Sequence, residues 1–172
     1  MKLDDDDFTL FGLPRRFALD RAQLDASWRA LQNRVHPDKF AAEGAAAQRL
    51  AMQWAVRVNE AYQRLRDPLK RAALLCELGG APIQAENNTA MPPAFLMQQM
   101  EWRETLEDAE GVQAVQALDE SIAREEAALF EHVRQALDER HDAAAASSVV
   151  RALMFVARFR SDIDHRLEAL GQ

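Results

Sequence analysis

Residues 20–40 read DRAQLDASWRALQNRVHPDKF. Asp20 with Gln23 three residues on resembles a capping box, and Leu24, Trp28, Leu31 and Val35 then recur at helical spacing. Pro37 cannot continue a helix and drives His36 toward extended backbone, so the helix ends there and a loop opens directly from it. That loop shows an imidazole, His36, and a carboxylate, Asp38, on a stiffened chain. A given tripeptide of such residues arises by chance in about one chain in a hundred of this length, so its meaning depends on its surroundings.

Beyond the loop of residues 36–44, Leu50, Trp54, Val58, Ala61 and Leu65 predict a second helix of about six turns. The two apolar stripes face each other across a short connection, which predicts an antiparallel hairpin with His36-Pro37-Asp38 at its tip. Upstream, Phe8, Leu10, Phe11 and Leu13 form an apolar cluster long enough for one helical turn, ending at Gly12 and Pro14. Downstream, Asp67-Pro68 reads as an N-cap followed by proline at the first helical position, opening a helix that runs to Gly79-Gly80. Residues 80–92, with Pro82, two asparagines and Thr89, lack periodicity and read as a linker.

Pro92 and Pro93 start the next helix, which reaches about Ala109 before Gly111 interrupts. Val115, Leu118, Ile122, Leu129 and Val133 mark another, and Val149, Leu153, Val156, Ile163, Leu167 and Leu170 a last. Three long helices with short turns predict an antiparallel three-helix bundle. The expected class is therefore all-α, with modules at 1–79 and 93–172 joined by 80–92.

Composition agrees with helix throughout. The 172 residues are 48% hydrophobic, with six glycines and six prolines, and no run alternates as a strand would. A single cysteine, Cys76, excludes an internal disulfide and argues for core packing over a protein-borne metal or cluster site. Asp4 to Asp7 are the opposite of a cationic signal peptide, and nothing approaches the roughly 20 apolar residues of a membrane span. A cytoplasmic protein without membrane contact is expected. Net charge is −7, unevenly spread: residues 1–91 carry 13 Lys/Arg against 12 Asp/Glu, residues 92–172 carry 8 against 16. Two modules with different partners follow, and neither offers the basic, aromatic-interleaved stripe of a nucleic-acid binder.

His36 and Asp38 could in principle be an acid–base pair or metal ligands, as in a metal-dependent hydrolase. No nucleophile or glycine-rich phosphate loop accompanies them, His132, His141 and His165 lie in the other module, and Asp162, Asp164 and His165 read as a solvated helix face. The expected metal and cofactor content is none. Arg21, Arg29 and Arg34, opposed by Asp25, instead make the helix before the loop basic. Arg29 and Arg34 would steer an acidic partner, while Asp38 would reach an arginine on that partner.

The helix from Pro93 has two apolar faces. At about 100° per residue, Phe95, Trp102, Leu106 and Ala109 form one stripe, while Leu96, Met97, Met100, Glu101 and Glu104 gather on the other side. A bundle buries one stripe, so the second faces solvent unless something covers it. Methionines rimmed by glutamates suit an irregular protein partner, and Met154 and Phe155 of the last helix lie where they would extend the patch.

Residues 8–79 resemble a J-domain, the co-chaperone module that engages DnaK-type ATPases. The similarity rests on Phe8 to Pro14, on His36-Pro37-Asp38-Lys39-Phe40, on Val58-Asn59-Glu60-Ala61-Tyr62 with Leu65, on Asp67-Pro68 and on Lys70-Arg71. The resemblance implies that His36, Pro37 and Asp38 stimulate the chaperone's ATPase, with Arg29, Arg34 and Lys39 in the docking surface. Val35 departs from the aromatic residue usual there, which bears on stability more than on function. Across nearly the whole chain, Phe8 to Pro14, His36 to Phe40, Ala94-Phe95-Leu96-Met97 and Arg103-Glu104 are similar to the HscB family, J-type co-chaperones of iron–sulfur cluster assembly. That resemblance implies an HscA/DnaK-type chaperone and an IscU-type scaffold as partners, the scaffold bound through Leu96, Met97, Met100, Glu101, Glu104 and Phe155. Met100 stands where leucine is expected, a change that conserves volume. A J-domain co-chaperone with a different client is the other reading.

Overall fold

Asp20 accepts the N–H groups of Ala22 and Gln23 at 2.9 and 3.3 Å, satisfying two donors that a helix start leaves unpaired. In the computed structural model, which describes residues 1–84 and 88–171, this cap opens α2 (Arg21–Val35), after a one-turn α1 (Asp7–Leu10). A 3-10 helix over Pro37–Glu43 leads to α3 (Ala45–Arg66) and α4 (Pro68–Leu78). Then come α5 (Pro93–Asp108), α6 (Val112–Arg134) with a π-helical turn over Gln135–Glu139, and α7 (Ala143–Leu170). The described residues are all-helical, and contacts divide the chain into two compact units, Met1–Leu75 and Cys76 onward.

In the first unit, α2 and α3 run antiparallel. Trp28 stacks on Tyr62 with ring centroids 4.3 Å apart, and its indole N–H donates to Asn59 at 3.1 Å. At the other end Val35 shares a pocket of about 490 Å³ with Phe40, Ala51 and Trp54. Leu24, Leu31 and Val35 of α2 meet Val58, Ala61 and Leu65 of α3, all buried. The pocket lies where Val35 lacks aromatic bulk. Leu50 departs from the predicted stripe: it is exposed, and Ala51 is buried in its place. Ala51 and Ala47 let the 3-10 segment approach α3 closely, and a leucine on that line would fill the space Phe40 uses.

The acidic start of the chain does more than its composition suggests. Asp6 caps α1 by accepting from the Thr9 N–H at 3.0 Å and pairs with Arg15 at 2.6 Å. Burial works against its ionised form, but the hydrogen bonds from Arg15 and Thr9 outweigh that and hold its pKa at about 2. Asp7 is buried between two guanidiniums of α3. Arg64 grips it through two hydrogen bonds of 2.6 and 2.9 Å, and Arg57 stands 2.8 Å away, close but misaligned for a hydrogen bond. Arg57 also donates to the carbonyls of Leu3 and Asp5.

Removing that carboxylate leaves two cations facing each other in a half-buried site. Asp7→Ala is expected to cost about 3 kcal/mol, the lower end for a broken buried pair because Arg64 can recover some hydration. The urea midpoint of the first unit should fall accordingly, and an unchanged midpoint refutes the role given to Asp7.

The second unit is the three-helix bundle. Val115, Leu118, Ile122, Leu129 and Val133 of α6 are buried with Val150, Leu153, Val156, Phe159 and Ile163 of α7. Arg160 of α7 donates to both Asp119 and Glu126 of α6 at 3.1 Å. Phe95 meets Trp102 and Phe155 edge-on, while Trp102 lies 6.2 Å over Phe159, which fastens α5 to α7. Cys76 is buried, and burial pushes its thiol up to about 11, so it stays protonated and packs as an apolar residue.

Residues 80–92 form no regular element where they are described; 85–87 of that stretch lie outside the described residues. Ile83 is buried, and the buried Arg151 of α7 donates to the carbonyls of Ile83 at 3.1 Å and Ala90 at 2.6 Å and to the Ser147 hydroxyl at 2.8 Å. The stretch read as a linker is thus fastened to α7 at both of these points.

Candidate functional site

Two surfaces carry the residues singled out from sequence. The first is the turn after α2. His36 leaves the helix in extended geometry, φ −60° and ψ 127°, as a residue before proline must. The chain then winds into the 3-10 helix, where a loop was expected over 36–44. The cause is Pro37, whose fixed φ suits a first helical position, helped by the His36 ring, which caps the turn.

His36 Nδ1 accepts the Asp38 N–H at 3.2 Å, and the His36 carbonyl accepts the Lys39 N–H at 3.1 Å. The Asp38 carboxylate lies 3.7 Å from the same Nδ1. One ring nitrogen cannot accept the amide and also carry the proton an ion pair needs. The amide bond therefore places the proton on Nε2 and leaves the carboxylate uncommitted. The Asp38 side chain is 91% exposed and that of His36 58%. Pro37 and His36 thus build the turn, while Asp38 is held at its start with all its acceptor capacity free. Lys39 is exposed beside it.

Arg29 and Arg34 are exposed on α2, five residues apart. At about 100° per residue they sit roughly 140° apart, on the two margins of the solvent side and not on one stripe. Arg21 is committed to Asp25 at 3.1 Å, and Asp25 accepts in turn from the Tyr62 hydroxyl at 2.7 Å. The basic side of α2 is therefore two separated, exposed guanidiniums on the helix that leads into the turn.

The second surface is the outer side of α5. Phe95 and Trp102 are buried, whereas Leu96, Met97 and Met100 are 50%, 70% and 66% exposed, with Glu101 and Glu104 exposed among them. Leu106 and Ala109, assigned to the buried stripe, are only half-buried. Phe155 is half-buried: it stands edge-on to Phe95 at 5.9 Å, stacks on Phe159 at 6.0 Å, and carries the Arg103 guanidinium 5.5 Å above its ring. It shares the α5–α7 seam with the exposed side chains.

Among the described residues no three His, Cys, Asp or Glu side chains are placed to hold a metal ion, and no helix is long and apolar enough to cross a membrane.

Residues 91–164 match the family model described as the HSCB C-terminal oligomerisation domain. Over 173 aligned positions, 99% of this chain and 98% of the relative, the sequence is 55% identical to the co-chaperone protein HscB homolog of Burkholderia multivorans. The chain belongs to the HscB family. Its structure is similar to the chaperone HscB from Vibrio cholerae, with a TM-score of 0.85 at 36% identity, covering 96% of this chain and 99% of that one. It is also similar to the human co-chaperone protein HscB, with a TM-score of 0.88 at 25% identity, covering 96% and 84%.

In this HscB-family chain several residues around the two surfaces escaped the sequence reading. Asn59, quoted only as part of a motif, accepts from both Trp28 and Gln32 and fixes the register of the hairpin that carries the turn. Arg158 and Phe159 line the α5–α7 seam beside Phe155. Their only sequence signal is a spacing of three and four from Phe155, which any amphipathic helix supplies.

Proposed function

We propose that this chain is a co-chaperone with no reaction of its own. It stimulates the ATPase of a DnaK/HscA-type chaperone through His36, Pro37 and Asp38, with Arg29, Arg34 and Lys39 aiding the docking. It presents an IscU-type scaffold to that chaperone through Leu96, Met97, Met100, Glu101, Glu104 and Phe155, in the maturation of iron–sulfur proteins in the cytoplasm. Membership of the HscB co-chaperone family supports the general role. The observation that carries the finer reading is that the same helix buries Phe95 and Trp102 while leaving Leu96, Met97 and Met100 open to solvent. An exposed apolar face of that kind on a packed bundle marks a protein partner.

Holding scaffold and chaperone on one chain raises the local concentration of client at the ATPase. Chain and scaffold added together should therefore stimulate the chaperone's steady-state ATP hydrolysis by more than the sum of their separate effects. Stimulation by the chain that ignores the scaffold would transfer the assignment to a J-domain co-chaperone of another client.

A further inference from the structure

The outer face of α3 is apolar at its middle and charged at its ends. At about 100° per residue, Arg49, Met52, Gln53, Val56 and Glu60 fall within about 100° of one another. Met52 and Val56 are 56% and 57% exposed, and the three polar members of the face are exposed as well. An open groove of about 360 Å³ runs along it, lined by Met52, Gln53, Val56, Arg57 and Glu60. The face shares no residue with the turn after α2 or with α5.

Arg49 and Glu60 form no ion pair among the described residues. The two basic residues at helical spacing from Glu60, Arg57 and Arg64, are both held by Asp7. Eleven positions, about 16 Å, separate Arg49 from Glu60, too far for them to reach each other along the helix. A second α3 laid antiparallel removes that distance. About a twofold axis between Trp54 and Ala55, Arg49 of each copy meets Glu60 of the other, so the pair forms twice. The same axis passes through the middle of the hole made by Met52, Gln53, Val56 and Arg57, a set of four that can receive a side chain from a facing helix. Val56 of each copy then enters the hole of the other. A parallel pairing would set Arg49 against Arg49 and Glu60 against Glu60, so charge selects the antiparallel one.

We infer that this face of α3 is a self-association surface whose occupant is a second copy of the same chain. It lies in the first unit, outside residues 91–164, to which the family model's description assigns oligomerisation. A contact one helix wide is at the small end of protein interfaces, so the dimer is reversible and forms as concentration rises. The 3-10 segment packs on Ala47 and Ala51, on the side of α3 opposite Arg49. Pairing therefore leaves the His36-Pro37-Asp38 turn of each copy uncovered.

Sedimentation velocity of the full-length chain from about 1 µM to about 1 mM at low salt tests this. The weight-average mass should rise with concentration from the 19.4 kDa of one chain toward twice that value. R49E and E60R each replace two attractions by two repulsions. Each should raise the dimer's dissociation constant roughly tenfold at low salt and by less at about 0.5 M salt. Combining R49E with E60R restores opposite charges across the axis and should return the wild-type constant. V56E puts a charge into each hole and should hold the chain at its single-chain mass throughout. All three positions are exposed, so melting temperatures should stay level. A wild-type chain that keeps its single-chain mass over the whole range overturns the proposal. A dimer that the single changes leave intact is built through another surface and overturns it too, as does a double variant no tighter than its parents.

Discussion

Asp38→Asn is expected to leave the chain folded and to bring its stimulation of a DnaK/HscA-type ATPase down to the unstimulated rate. The side chain is 91% exposed and its carboxylate accepts no hydrogen bond within the turn, so nothing in the fold depends on its charge. The Asp38 N–H, which does hold the turn through His36, is untouched by the change. What disappears, on the proposed reading, is one half of a directional pair with an arginine of the chaperone. Truncating one member of a desolvated charge pair at an interface costs about 2–5 kcal/mol, and each 1.4 kcal/mol is tenfold in affinity. A loss of roughly thirtyfold or more is therefore expected, followed as single-turnover ATP hydrolysis across a range of co-chaperone concentrations. Arg29→Ala and Arg34→Ala, at separated and hydrated positions, should give smaller losses that fade with salt. Stimulation by the Asp38→Asn variant that saturates at the wild-type's concentrations, with unchanged circular dichroism, would exclude this turn as the activating element.

The second large effect is expected from Met97→Ala, Met100→Ala and Phe155→Ala combined. The two methionines are exposed and alanine is the better helix former, so neither change should cost the free chain stability. Phe155 contacts Phe95 and Phe159, and its loss should lower the melting temperature of the bundle without unfolding it. At an interface each side chain covered by a partner contributes about 1–3 kcal/mol, so the triple variant should lose at least a hundredfold in affinity for an IscU-type scaffold. Calorimetry reads the affinity and a thermal melt reads the fold. An unchanged dissociation constant alongside a folded melt removes the client assignment.

The helices were legible because each is written in its own local spacing. Asp20 and Asp67 as caps, Pro68 and Pro93 as first residues and the i, i+3, i+4 apolar pattern are signals that act over one or two turns. The two faces of α5 belong to the same class, since sixteen residues of one helix contain both. Where the reading failed, the cause lay at a distance. Leu50 has the right period for burial, but the approach of the 3-10 segment decides that Ala51 goes inside. The run Asp4 to Asp7 carries no local signal of burial, and Asp7 is buried because Arg64, 57 positions away, comes to meet it. Among the site residues, His36 and Asp38 could be found because two positions separate them. The seating of Arg103 over Phe155 could not, because 52 positions separate them and only the packing of α5 on α7 brings them together.

The clasp made by Arg151 bears on how much change the chain tolerates. One guanidinium holds the carbonyls of Ile83 and Ala90, seven positions apart, and so ties the chain at these two points with a side chain instead of a disulfide. Lengthening the chain between two tied points is inexpensive, about 0.6 kcal/mol for each doubling, because closure entropy grows only with the logarithm of length. Replacing the arginine opens both ends at once and strands the buried Ile83 carbonyl, while that of the exposed Ala90 returns to water. Tolerance to insertion and intolerance to a single substitution therefore meet at one tie, and a reporter peptide for following this protein among its partners belongs between Ile83 and Ala90.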